Sequence, residues 1–134
     1  MEPTVSMLKI IARKARPAGI VAAIHPDHRA DPATPDILVD GEYDLQEHGI
    51  EGRVVPTPGH TPDSLSVVLN SGDAFVGDML HGKPGSLSFG MFGENVPRIR
   101  KSLKLVRSYK PARIHMSHGS YVDYAELARF TASF

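Results

Sequence analysis

The sequence predicts an α/β fold, α+β in the order of its elements, with a mixed β-sheet and helices mainly on one face. Three observations predict it. Short apolar runs broken by Gly, Pro, Asn and Asp fill the middle of the chain, as strands joined by tight turns require. Two later segments, Val96 to Tyr109 and Tyr121 to Phe130, read as helices with a strand-like run between them. At 134 residues, 41% hydrophobic and 22% charged, the chain suits one compact domain with a real core and is too short for two.

The elements follow in order. Val5, Leu8, Ile11, Ala12 and Ala15 recur at helical spacing, with Pro3-Thr4 as a start and Pro17 and Gly19 as a stop, so a helix is predicted over Val5 to Arg16. Ile20 to Ile24 is a continuous apolar run and is expected to be a buried strand. His25 to Asp36, rich in Pro and Asp, is expected to be loop. Ile37 to Val39, Glu42 to Leu45 and Ile50 to Pro56 read as strands separated by Asp40-Gly41 and His48-Gly49 turns. Ser64 to Leu69 sets Leu65, Val67 and Leu69 on one face, Asn70 to Asp73 turns, and Ala74 to Val76 returns. Gly82 to Gly93 is Gly-rich, and its apolar Leu87, Phe89, Met91 and Phe92 suggest a long loop near a site. In Val96 to Tyr109, Ile99, Leu103 and Val106 face inward while Arg98, Lys101 and Lys104 face outward. Pro111 ends that helix, Ala112 to Met116 gives one more strand, and Tyr121 to Phe130 a final helix.

Composition removes several function classes. Lys+Arg and Asp+Glu are equal at 15 each, which gives no electrostatic reason for nucleic acid or an anionic membrane as partner. There is no Trp, and few aromatic residues are present to stack on bases. With no Cys, disulfides, thiolate metal sites and a cysteine nucleophile are excluded, so any metal must be held by imidazole and carboxylate. The first residues lack the basic-then-apolar order of a signal peptide, and no apolar run reaches the roughly 20 residues of a membrane span. The expected compartment is the cytoplasm.

Seven histidines remain to be explained. His60, His81 and His118 lie just beyond predicted strands, and Asp78 follows Gly77 at the end of another. Strand ends are where a rigid sheet can aim several ligands at one point. The segment Thr57-Pro58-Gly59-His60-Thr61, the strand ending in Gly77-Asp78, and the strand running into His118-Gly119 come in that order. Together they resemble the C-terminal half of a metallo-β-lactamase-superfamily domain. The resemblance implies half of an αββα sandwich, with His60 and His118 as imidazole ligands and Asp78 as a carboxylate able to bridge two metals. It implies a divalent ion, zinc first, with manganese or iron also suited to His and Asp donors. Such an ion would lower the pKa of bound water to about 7 and supply hydroxide for attack on an ester, thioester or lactam-type bond. Thr61 and Ser64 offer hydroxyls to hold the loop, and His81 and His115 read as neighbours of the site rather than ligands. No residue of the chain is assigned as a catalytic acid or base.

The family's other metal-binding element, an HxHxDH loop, has one candidate here, Ala23-Ile24-His25-Pro26-Asp27-His28. His25, Asp27 and His28 match and are possible additional ligands, but Ala23 stands where the first His belongs. The family continues into a helix, whereas Pro32 and Pro35 break any helical period after His28. Residues 1-134 are therefore expected to form a single metallo-β-lactamase-like domain lacking its N-terminal half. Two functions follow as expectations. One is a metal-dependent hydrolase acting on a small-molecule substrate, completed by a homodimer partner or a partner half-domain. The other is a non-catalytic half-domain that serves as a structural or interaction module.

Overall fold

The computed structural model describes Ile11–Ala12 and residues 34–89 and 95–134. Its main element is a six-stranded mixed sheet built from β3 (Tyr43–Asp44), β4 (Gly52–Pro56), β5 (Leu65–Leu69), β6 (Asp73–Phe75), β9 (Arg113–His115) and β11 (Val122–Asp123). The strand order is β11-β9-β6-β5-β4-β3. Neighbours pair antiparallel throughout, except that β6 and β9 run parallel, with Ala74 opposite Ile114.

Side chains alternate across the pleat, so each strand feeds two faces. One face carries Val55, Val68, Ala74, Ile114 and Val122, all buried against the helices α1 (Val96–Ser108) and α2 (Tyr124–Thr131). The helices contribute Ile99, Leu103, Val106 and Leu127, each with no exposed surface. The predicted inward stripe of the first helix is thus the observed one. On the opposite face Val54, beside Val67 in register, joins a second cluster with Val39 and Leu45, while Phe75 remains 45% exposed. The expected mixed sheet with helices on one face is the fold observed.

Both helices start on side-chain caps, which satisfy amide groups that have no partner within the helix. Asn95 accepts from the Arg98 amide at 3.0 Å, with Pro97 in the first turn. Asp123 accepts from the Glu126 amide at 2.8 Å, so β11 runs straight into its helix. At the far edge of the sheet Asp44, the end of β3, accepts from the Gln46 amide at 2.9 Å and opens the 3₁₀ turn Gln46–His48.

Two expectations are corrected. Ile11–Ala12, inside the helix predicted for Val5 to Arg16, is a strand (β1) paired parallel to β2 (Ile37–Leu38). A partner strand supplies backbone hydrogen bonds that helical spacing alone cannot foresee, and β-branched Ile11 suits the extended form. The remainder of that predicted helix and the strand predicted at Ile20 to Ile24 lie outside the described residues. The Gly-rich stretch from Gly82 is no irregular loop at its start. β7 (His81–Lys83) and β8 (Ser86–Ser88) form a hairpin around Pro84-Gly85, a pair suited to the central positions of a tight turn. With β10 (His118–Gly119) they make a small separate sheet in the order β10-β7-β8. Among the described residues no helix is long and apolar enough to cross a membrane.

Candidate metal centre

Strand direction decides where the site lies. β4 is antiparallel to β5 and β5 to β6, so β4 and β6 point the same way, and β9 runs parallel to β6. The three segments that follow β4, β6 and β9 therefore leave the same end of the sheet. They carry His60, Asp78 and His118 in turn. In open sheets with helical layers, the carboxyl ends of the strands are where functional groups gather.

Each segment is tied down locally. In the first, the Thr57 amide donates to the Ser64 carbonyl at 2.9 Å, and the buried Thr57 and Ser66 hydroxyls meet at 2.7 Å. Ser64 Oγ accepts from the Thr61 amide at 3.1 Å and lies 2.8 Å from the Thr61 hydroxyl, which closes the turn around His60. The helix α1 holds this loop from below: Ser102 donates to the Pro58 carbonyl at 2.7 Å, and the Asn95 amide to the Gly59 carbonyl at 2.9 Å. Gly59 (φ 149°) sits so close to α1 that a Cβ would lie 2.5 Å from the Ile99 amide nitrogen. Glycine is the residue that permits that approach. In the second segment Asp78 lies in the 3₁₀ turn Gly77–Met79, anchored by fully buried Met79 and Leu80. The Ser117 amide reaches the Gly77 carbonyl at 3.0 Å and locks the second segment to the third.

The result is a carboxylate ringed by imidazoles. Asp78 Oδ2 lies 3.6 Å from His60 Nε2, while Oδ1 lies 3.4 Å from His118 Nε2 and 3.8 Å from His81 Nε2. These separations exceed the 2.7–3.2 Å of an ordinary hydrogen bond. Three buried atoms, His60 Nδ1, Asp78 Oδ1 and His81 Nε2, have no hydrogen-bond partner. Among the described residues no group of three or more such side chains closes on a single point as a formed ion site does. The donors are instead divided between the two carboxylate oxygens. The pairwise distances are the better guide to fit: two donors bound to one tetrahedral ion at about 2.1 Å stand about 3.4 Å apart. His118 Nε2 stands at that separation from Asp78 Oδ1, and the His60 and His81 Nε2 atoms stand slightly beyond it; the unpartnered nitrogen of His60 is Nδ1, on the far side of the ring from Asp78.

The other sequence candidates lie elsewhere. His81, read as a neighbour, reaches Asp78 as well; the signal missed was the hairpin that starts at its own position. His115 points away, to Asp73 Oδ1 at 2.8 Å, and stacks on Phe75. His48, expected in an exposed turn, is half-buried and 2.8 Å from the Tyr43 hydroxyl. Asp63 is exposed. His25, Asp27 and His28 lie outside the described residues.

Asp73 has a structural role of its own. Arg113 hydrogen bonds at 2.7 and 3.0 Å, then His115 and Ser71, hold its carboxyl well below the usual carboxylate range. A depressed folded-state value means the ionised carboxylate stabilises the fold above about pH 3.9, the unfolded value, and this is lost as pH falls further. Asp73→Asn is accordingly expected to lower the urea midpoint at neutral pH, with the gap to wild type narrowing near about pH 3. A gap of the same size at both pH values would contradict it.

No family model matches the chain. A curated relative, the beta-lactamase-like protein 2 homolog of Drosophila melanogaster, is 38% identical over 81 residues, which is 58% of this chain and 26% of that protein. The solved structure of TTHA1623 in a di-iron-bound form aligns with a TM-score of 0.68 at 22% identity, over 91% of this chain and 63% of that one. The metallo-beta-lactamase FIM-1 of Pseudomonas aeruginosa, in its mono-zinc form, aligns with a TM-score of 0.60 at 21% identity, over 87% of this chain and 54% of that one. The fold is that of the metallo-β-lactamase superfamily. The resemblance carried by Pro58-Gly59-His60-Thr61, Gly77-Asp78 and His118-Gly119 is thereby borne out. The chain spans about a quarter of the length of that curated relative and between about half and two thirds of these two solved chains.

Proposed function

We propose that the chain carries the metal-binding part of a metallo-β-lactamase-type hydrolase, with His60, Asp78 and His118 as ligands to zinc, or to manganese or iron(II). The observation that carries this reading is the Asp78 carboxylate, its Oδ1 without a hydrogen-bond partner, faced by imidazole nitrogens at 3.4 to 3.8 Å. An ion held by these residues would supply Lewis acidity and would lower the pKa of water, the chemistry needed to open an ester, thioester or lactam-type bond.

The chain's own residues do the positioning. His60 and His118 offer ring nitrogens, and Asp78 offers a carboxylate, as donors to such an ion. Thr61 and Ser64 fix the His60 loop by the hydroxyl pairing already described. The His60 side of the carboxylate has a single imidazole among these contacts. Further donors on that side would come from residues outside those described, from a second copy of the chain in a homodimer, or from a partner half-domain. A cytoplasmic location belongs to the same reading.

The test is metal uptake. Wild-type chain dialysed against zinc is expected to retain near-stoichiometric ion, and Asp78→Ala to retain little. Elemental analysis that finds equal zinc in both would remove the metal-binding reading. Zinc-loaded chain that turns over no p-nitrophenyl ester or thioester would leave the structural or interaction module as the function.

A further inference from the structure

We infer that the groove between α1 and α2 binds a small phosphorylated ligand, with the phosphoryl oxygens held by Lys104, Arg107 and Lys110. This groove is separate from the candidate metal centre. The His60 loop packs on the start of α1, at Asn95 and Ile99, whereas the three cations occupy the last two turns of that helix and the residues just beyond its end. The inference therefore stands apart from the metal-binding reading.

Helical spacing builds the groove. Lys104, Arg107 and Ser108 stand at i, i+3 and i+4 on α1 and so share one face. Tyr124, Ala128 and Thr131 form the facing side of α2. Ala128, and Ala132 after the helix, carry only a methyl where a longer side chain would close the gap, and a cavity of about 630 Å³ remains. Small-ligand sites usually hold roughly 300–1,000 Å³.

Charge decides what fits there. Among the described residues no carboxylate lines the groove. Half-buried Arg107 donates from Nη1 to the Thr131 hydroxyl at 3.0 Å, and Lys104 Nζ donates to the Phe134 carbonyl at 3.4 Å. Both acceptors are neutral and leave the positive charges unbalanced. Like charges gathered in a concave space repel one another and focus a positive field that draws in an anion. The macrodipole of α1 favours a cation in its last turn, which accounts for Arg107, but its reach ends short of Lys104. Three positive charges exceed what one carboxylate balances. A phosphate ester carries about −1.5 to −2 at pH 7 and three acceptor oxygens, and a guanidinium fork meets such oxygens in pairs. Equal numbers of basic and acidic side chains over the whole chain favour a small ligand over a long polyanion.

NMR titration of the ¹⁵N-labelled chain with sodium pyrophosphate, at an ionic strength held constant with chloride, tests the site. Amide shifts are expected to concentrate at Arg107 to Lys110 and at Tyr124 to Ala132. Lys104→Gln combined with Lys110→Gln, both at exposed positions, is expected to weaken binding about tenfold, within the usual range for two exposed charge pairs. Arg98→Gln combined with Lys101→Gln removes the same charge from exposed positions of α1 outside the groove and is expected to bind as wild type does. Asp78→Ala is expected to bind equally well. Equal weakening in the two double variants would show a response to net charge alone and overturn the site. Binding abolished in Asp78→Ala, or wild type that binds no pyrophosphate, would overturn it too. Affinity that keeps rising with polyphosphate chain length would replace the small ligand by an extended polyanion and reject the inference.

Discussion

Truncating Leu103 to alanine is expected to destabilise the fold by about 2–5 kcal/mol, the usual range for an aliphatic core residue cut to a methyl. Leu103 has no exposed surface and lies in the cluster that joins α1 to Val55, Val68, Ala74 and Ile114 of the sheet. The sheet residues of that cluster, Val55, Val68, Ala74 and Ile114, are short and β-branched or alanine and fill little of the void left there. For a chain of this size the loss corresponds to a fall in Tm on the order of 10 °C. The damage should reach the site, since the neighbouring Ser102 holds the Pro58 carbonyl and with it the His60 loop. Thermal unfolding followed by circular dichroism measures the first effect. A change below about 1 kcal/mol would show that α1 does not anchor the core.

Gly119→Ala is expected to act by a different route and nearly as strongly. The added Cβ would meet the Gly82 carbonyl oxygen at 1.9 Å, and backbone cannot swing aside as a long side chain can. The strands must part, breaking the Ser120 to Gly82 hydrogen bond, while alanine also resists a φ of 129°. Strain at such a position costs about 1–3 kcal/mol, and a lost hydrogen bond adds about 1 kcal/mol. Urea unfolding of the variant should show this loss. A midpoint equal to that of wild type would mean the strand pair tolerates separation.

How much of this was legible in the sequence depends on how local the cause is. The α1 stripe of Ile99, Leu103 and Val106 and the strand pair around Asn70 to Asp73 follow from periodicity and turn residues, and both were readable. His60, Asp78 and His118 were readable as a set because each follows a strand and carries a glycine beside it. What failed was non-local. Ile11–Ala12 is extended because Ile37–Leu38 runs alongside it, and no feature of residues 5 to 16 announces that partner. The Gly82 stretch looked irregular because its glycines also serve close approach to β10, a contact with a strand far along the chain. His81 was set aside for the same reason. Its meaning depends on which residue stands opposite it, and register is invisible until the strands are paired.

The two outer strands of the six-stranded sheet bear on how the molecule meets other copies of itself. β3 and β11 are two residues long, and each ends at an aspartate whose carboxylate accepts from an amide of the helical turn after it. A borrowed strand needs a run of unpaired amides and carbonyls along which to zip, and neither edge provides one. Charge at the last position of each strand further repels an incoming apolar segment. Among the described residues, growth of this sheet by edge-to-edge stacking, the common route to fibrous aggregates, is thereby disfavoured at both ends.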